Sequence, residues 1–206
     1  MHNILKSSLL IGSVMLSAPT LAHANGFEST VMAPVASDVK IEIRLSDDLA
    51  YRANNLPEKL SDRGNNAGRS SAFSQNGFYG ERDLIRLQER LEKKLTRQLG
   101  KRGLNVSDSA PTVLRVTLAD VKNNRPTFRQ LSRSTGLSYQ SFGTGGAELE
   151  AEVLSAGGSS LGTMRYEWYE FDVRDSQFGG TWTDAHRAMD RFAIKAAKKL
   201  SRGAQS

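Results

Sequence analysis

Residues 142–173 read FGTGGAELEAEVLSAGGSSLGTMRYEWYEFDV, and this stretch decides the fold. Ala147, Leu149, Ala151 and Val153 alternate with Glu148, Glu150 and Glu152, the period of two of a strand with one buried face. Met164, Tyr166 and Trp168 alternate in the same way with Arg165, Glu167 and Tyr169. Between the two runs, Ala156-Gly157-Gly158-Ser159-Ser160 supplies glycine where a hairpin turn needs positive φ. The stretch is therefore a hairpin, apolar on one face and charged on the other.

Working outward, Val39, Ile41, Ile43 and Leu45 alternate with Lys40, Glu42 and Arg44, and Leu114, Val116 and Leu118 form another inward-facing set. Two helices complete the pattern. In residues 81–101, Leu84, Leu87, Leu91, Leu95 and Leu99 make one apolar stripe, and Gly103-Leu104 gives a Schellman ending in which Leu104 touches Leu99. In residues 184–202 the stripe is Ala185, Ala188, Met189, Phe192, Ala196 and Leu200, with Thr183 as N-cap. Four one-faced strands and two one-striped helices predict an α+β fold, a two-layer α/β sandwich. About four strands form a mixed sheet, and both helices pack on one face.

The remaining segments set the domain plan. Residues 1–24 carry Lys6, an apolar run from Leu9 to Leu16, and Ala22-His23-Ala24, the marks of a signal peptide cleaved after Ala24. That run is too short to cross a bilayer, so the expected location is the periplasm, with export further left open. Residues 25–37 read as a flexible lead, and residues 38–206 as one domain containing a long loop, 46–80, partly disordered by composition.

Composition narrows the chemistry. With no cysteine, disulfides, thiolate metal sites and cysteine nucleophiles are excluded. The formal net charge of +6, about one unit lower without Lys6, allows an anionic envelope partner such as lipid headgroups or lipopolysaccharide. Nucleic acid is not expected as a partner outside the cytoplasm. His186 is the one histidine beyond residue 24 and lies four residues before Asp190, a spacing that predicts a surface pair. No GxSxG or HExxH motif occurs, and no cofactor or metal is expected.

If the first two strands are parallel, the first, second and fourth strands end together. The loops that follow them then gather Arg125, Arg129, Arg133, Tyr139 and Trp182, arginines and aromatics of the kind that anchor partners. These five residues are the candidate binding set. A different reading makes the chain a glycan or cell-wall hydrolase using Glu148, Glu150 and Glu152, although charged alternation is ordinary on a solvated strand.

Gly145-Gly146-Ala147-Glu148-Leu149-Glu150-Ala151-Glu152, the hairpin after it, and Thr181-Trp182-Thr183-Asp184-Ala185 with Phe192-Ala193 resemble uncharacterised proteobacterial envelope proteins of the domain-of-unknown-function type, many of them lipoproteins. The chain lacks their acylated cysteine. The resemblance implies a periplasmic α/β domain without established catalysis, and no site residues. The expected function is a non-catalytic periplasmic module that binds another envelope component.

Overall fold

The computed structural model describes residues 26–35, 38–59 and 76–201. The expected signal peptide and residues 60–75 of the long loop lie outside the described residues. In chain order the elements are β1 (Gly26–Ser29), β2 (Val39–Leu45), α1 (Asp47–Tyr51), α2 (Glu81–Gly100), β3 (Thr112–Lys122), α3 (Phe128–Arg133), β4 (Gly146–Leu154), β5 (Ser160–Tyr169), α4 (Val173–Ser176) and α5 (Thr183–Ser201).

One sheet contains all five strands in the order β1-β5-β4-β3-β2. β2 and β3 are parallel, joined through α2, and every other pair is antiparallel. The sheet is thus mixed, as expected, with one strand more than the alternation predicts. The extra strand, β1, lies in the segment read as a flexible lead. GFES offers a single apolar side chain, Phe27, and no period to detect, so its place is set by the partner. Phe27 pairs with Tyr166, and Thr30 exchanges hydrogen bonds with Thr163 beyond the strand end. Gly162 makes the approach feasible: at φ +138 it has no Cβ, and one would stand 2.7 Å from the Val31 Cα.

The core lies between the sheet and the two long helices. Leu84, Leu87, Leu91, Leu95 and Leu99 of α2 are all fully buried, as are Ala185, Ala188, Met189, Phe192, Ala196 and Leu200 of α5. At about 2 kcal/mol per buried leucine side chain, the α2 stripe alone contributes roughly 10 kcal/mol before conformational entropy is counted. Gly103 closes α2 at φ +77, and the Leu104 amide donates to the Leu99 carbonyl at 3.2 Å, the predicted ending. The two helices run parallel, since Trp182 meets Asp83 at their starts while Lys94 meets Asp190 further along.

The opposite sheet face carries the charges. Arg115 lies 3.2 Å from Glu42 and 4.0 Å from Glu152, and Arg165 lies 2.6 Å from Glu148 and 3.5 Å from Glu167. A bulge between Leu118 and Asp120 shifts the alternation of β3 by one residue. Val121 therefore turns inward with Leu118, while Asp120 and Lys122 stay on the charged face.

Candidate functional site

β2, β3 and β5 point the same way, so their carboxyl ends, and the amino ends of α2 and α5, meet at one edge of the molecule. A buried polar joint holds that edge together. β3 runs into Asn123-Asn124, and Asn124 is fully buried against the first turn of α5. Its side-chain carbonyl accepts the Asp184 amide at 2.8 Å, and its side-chain amide donates to the Asp184 carboxylate and to the Gly143 carbonyl at 3.1 Å. The same carboxylate accepts the Gly145 amide at 3.1 Å and the Ser176 hydroxyl at 3.2 Å. Its second oxygen accepts Arg187 at 3.0 Å. One buried acid thereby joins the start of β4, the end of α4 and the start of α5. The Asn124 amide, the Gly145 N–H and the Ser176 hydroxyl are buried donors that need such an acceptor, while Arg187 meets the carboxylate from its solvent side.

A second layer of contacts fixes the loops themselves. Arg125 donates Nε to the Gly179 carbonyl at 2.6 Å, one Nη to Gln177 at 2.5 Å and the other to Tyr139 at 3.2 Å, so one guanidinium fastens two loops. α3 opens with a capping box in which the Thr127 hydroxyl accepts the Gln130 amide and the Gln130 side chain accepts the Thr127 amide. Gln130 then reaches on to Gly77 at 2.9 Å. Residues 78–80 in turn donate to the carbonyls of Asn55, Arg52 and Ala53, closing the two ends of the long loop on each other. Tyr79 is wholly buried, donates to the Val121 carbonyl at 2.8 Å and packs edge-on against Trp182.

On this framework stand four rings. Phe128 is 77% exposed, Tyr139 73%, Phe171 75% and Phe178 91%, and all four lie at the carboxyl-end edge. Exposure this high means that each ring protrudes and does not line a groove. Of the five residues drawn from the sequence, Tyr139 belongs to this outer set. Arg129 and Arg133 flank Phe128 on α3, and the Arg133 guanidinium also lies 5.1 Å over the Phe78 ring. Arg125 and Trp182 stand beneath. The Trp182 side chain is only 7% exposed and donates to Asp83 at 3.0 Å, tying α5 to α2. All five lie at the same edge, divided between a presenting layer and a supporting one.

The supporting residues Asn124, Gln130, Tyr79 and Asp184 were not legible as a group. The one local signal was Thr127-x-x-Gln130, a capping-box spacing. His186 also departs from expectation. Asp190 pairs with Lys94 at 2.5 Å and Arg90 at 3.5 Å, both from α2, and leaves the histidine half-buried. Burial, then the Arg90 charge, push its pKa down to about 4.

Titratable groups beside the edge have structural partners. Asp120 accepts the Tyr169 hydroxyl at 2.5 Å and pairs with Arg52 at 2.7 Å. Burial, with Asp120 next in effect, pushes the Tyr169 hydroxyl far up, so it remains a donor. Gly146 permits this arrangement, since a Cβ there would stand 2.5 Å from the Tyr169 ring. Lys122, whose pKa burial lowers, reaches Thr144 at 3.4 Å. Glu150 and Glu152 line a concavity of about 500 Å³ on the charged sheet face, together with Glu28, Arg115, Thr117 and Arg165. Among the described residues there is no cluster of three histidine, aspartate or glutamate side chains that would hold a metal ion. No described helix is long and apolar enough to cross a membrane.

No family model matches the sequence, and no curated protein matches it. Solved structures similar to the chain include a PelC, a DUF330 protein and a minor lipoprotein. PelC, a dodecamer from Paraburkholderia phytofirmans, is 9% identical with a TM-score of 0.46, over 85% of this chain and 96% of its own. A DUF330 protein from Xanthomonas campestris is 8% identical with a TM-score of 0.43, over 80% and 83%. A minor lipoprotein from Acinetobacter baumannii is 10% identical with a TM-score of 0.34, over 79% and 91%. A domain-of-unknown-function protein and a lipoprotein thus stand among the structures similar to this chain.

Proposed function

We propose that the chain is a non-catalytic module of the bacterial cell envelope, acting in the periplasm, that docks an envelope protein through the edge at the carboxyl ends of β2, β3 and β5. The observation that carries this reading is the four protruding rings, Phe128 at the start of α3 and Tyr139, Phe171 and Phe178 on the neighbouring segments, on an edge held by Arg125 and the Asn124–Asp184 joint. Large exposed apolar side chains cost nothing to remove from a stable fold, yet they supply most of the energy of a protein interface when a partner buries them. A loop already fastened by hydrogen bonds loses little entropy on docking. In this reading Tyr139, Phe128 and Phe178 enter the partner, Arg129 and Arg133 form a polar rim, and Arg125 and Trp182 hold the platform.

Photo-crosslinking in cells tests it, with the reactive residue at position 128 or 178 and a control at position 44 on the charged sheet face. A discrete protein captured from 128 and 178 alone, and lost when Phe178→Ser is combined with the probe at 128, supports the reading. Equal capture from position 44, or none from the edge, overturns it.

A further inference from the structure

On α2 the cations are segregated. Arg82, Arg86, Arg90, Lys93, Arg97 and Lys101 follow one another at spacings of four, four, three, four and four residues, and all six are exposed. At 3.6 residues per turn they fall within an arc of about 100° and form a row roughly 28 Å long. Glu81 and Glu92 lie on the other flank, Glu89 stands about 20° outside the arc on that side, and Asp83, at the opposite edge of the arc, accepts from Trp182.

Like charges four residues apart oppose the helix that carries them. This row contains three such pairs on α2, and a fourth with Lys101 just past its end. The fold relieves the repulsion at one point only among the described residues, where Asp190 of α5 pairs with Lys94 and Arg90. Arg86, Lys93 and Arg97 have no carboxylate partner among the described residues. Among the described residues, Arg90, Lys93, Lys94 and Arg97 line a concavity of about 350 Å³. The positive field there is felt nearby, since the Arg90 charge helps to keep His186 neutral. Two cations of α5 are differently engaged: Arg191 lies 4.3 Å over the Trp168 ring and Lys195 5.6 Å over the Phe27 ring.

We infer that the row on α2 is a binding surface for the phosphate groups of an anionic lipid surface. Charge complementarity assigns the occupant, and length narrows it. A single small anion would need two or three convergent donors, whereas a straight row over five turns matches an array of charges presented side by side. Lys and Arg near a bilayer draw anionic headgroups in this way, and the attraction weakens as salt screens it. The surface runs along the helical layer away from the edge at the carboxyl ends of the strands, where only its first residue, Arg82, begins, and does not depend on the protruding rings.

Flotation of the full chain with vesicles tests the inference. Vesicles of phosphatidylethanolamine with 3 parts in 10 phosphatidylglycerol, roughly the density of charge at which such patches act, are compared with phosphatidylcholine alone. The variant Arg86→Gln/Lys93→Gln/Arg97→Gln keeps every residue ahead of β1, so any binding by the leading segment is common to both proteins. The expected result is at least a tenfold loss of bound fraction on anionic vesicles in the variant, abolition of the wild-type excess by high salt, and unchanged binding in Phe128→Ser/Phe178→Ser. A melting temperature equal to or above wild type shows that the triple variant is folded. Equal flotation of wild type and triple variant, or no preference of the wild type for anionic vesicles, overturns the inference. So does binding of soluble polyphosphate through the same three residues without vesicle binding, which would assign a free phosphate ester instead.

Discussion

Asp184 looks, in the sequence, like an acidic residue placed to favour the dipole at the start of a helix. In the fold it is a buried hub for Asn124, Gly145 and Ser176, with Arg187 at its rim. Asp184→Ala removes the acceptor of the buried Gly145 amide and one acceptor each of Asn124 and Ser176, and is expected to cost about 3 kcal/mol. Urea unfolding at neutral pH measures this, and Asp184→Asn should recover part of the loss. Sequence could not show the hub, because Asn124 and Asp184 are 60 residues apart and neither carries a pattern. His186 makes a second prediction at this scale. Its folded pKa, about 4, lies below the ordinary value of 6.5, so the unfolded chain binds the proton more readily. Its contribution to stability is complete above pH 6.5 and is lost as pH falls toward 4. Solvent reaches the half-buried ring, so the loss is on the order of 1 kcal/mol and not the full value of the shift. Unfolding curves at pH 7 and pH 4.5 should therefore diverge less for His186→Gln than for wild type.

The elements with a regular period were read correctly, and the reason is physical. A strand of nine or ten residues with one buried face repeats its signal several times, as β4 and β5 do, and α2 repeats its leucine five times. β1 has four residues and one apolar side chain, so its pairing is decided by the free edge of β5 and not by its own sequence. The loops behave similarly. Arg125 was legible as one of several arginines on a loop, but not as the clamp between Tyr139, Gln177 and Gly179. Arg125→Ala is expected to raise amide hydrogen exchange over residues 136–142 and 177–180 at least tenfold. Exchange in α2 and the central strands should stay unchanged, since those elements do not depend on the clamp. Faster exchange throughout the sheet would show instead that the edge and the core open together.

For the molecule as a whole, the fold assigns its faces unequal tasks. The leucine and alanine stripes close the core, the charged sheet face pairs its own arginines with its own glutamates, and among the described residues the protruding rings are left uncovered and Arg86, Lys93 and Arg97 of the α2 row without a carboxylate. Because Phe178 touches nothing that the core requires, Phe178→Ser should leave stability within about 0.5 kcal/mol while removing the crosslink from position 128. Loss of both together would mean that the ring is structural. β1 adds a practical consequence. It runs antiparallel to β5, so Gly26 stands near the edge that carries the rings, whereas α5 runs away from that edge and ends at Ser201 on the far side, where the Val35 amide meets the Leu200 carbonyl. A reporter or affinity tag fused ahead of residue 26 enters beside Phe171 and Phe178 and competes with whatever docks there. One fused after residue 201 hangs from the opposite pole and leaves the edge clear, so the position of the tag alone is expected to change which partners are recovered.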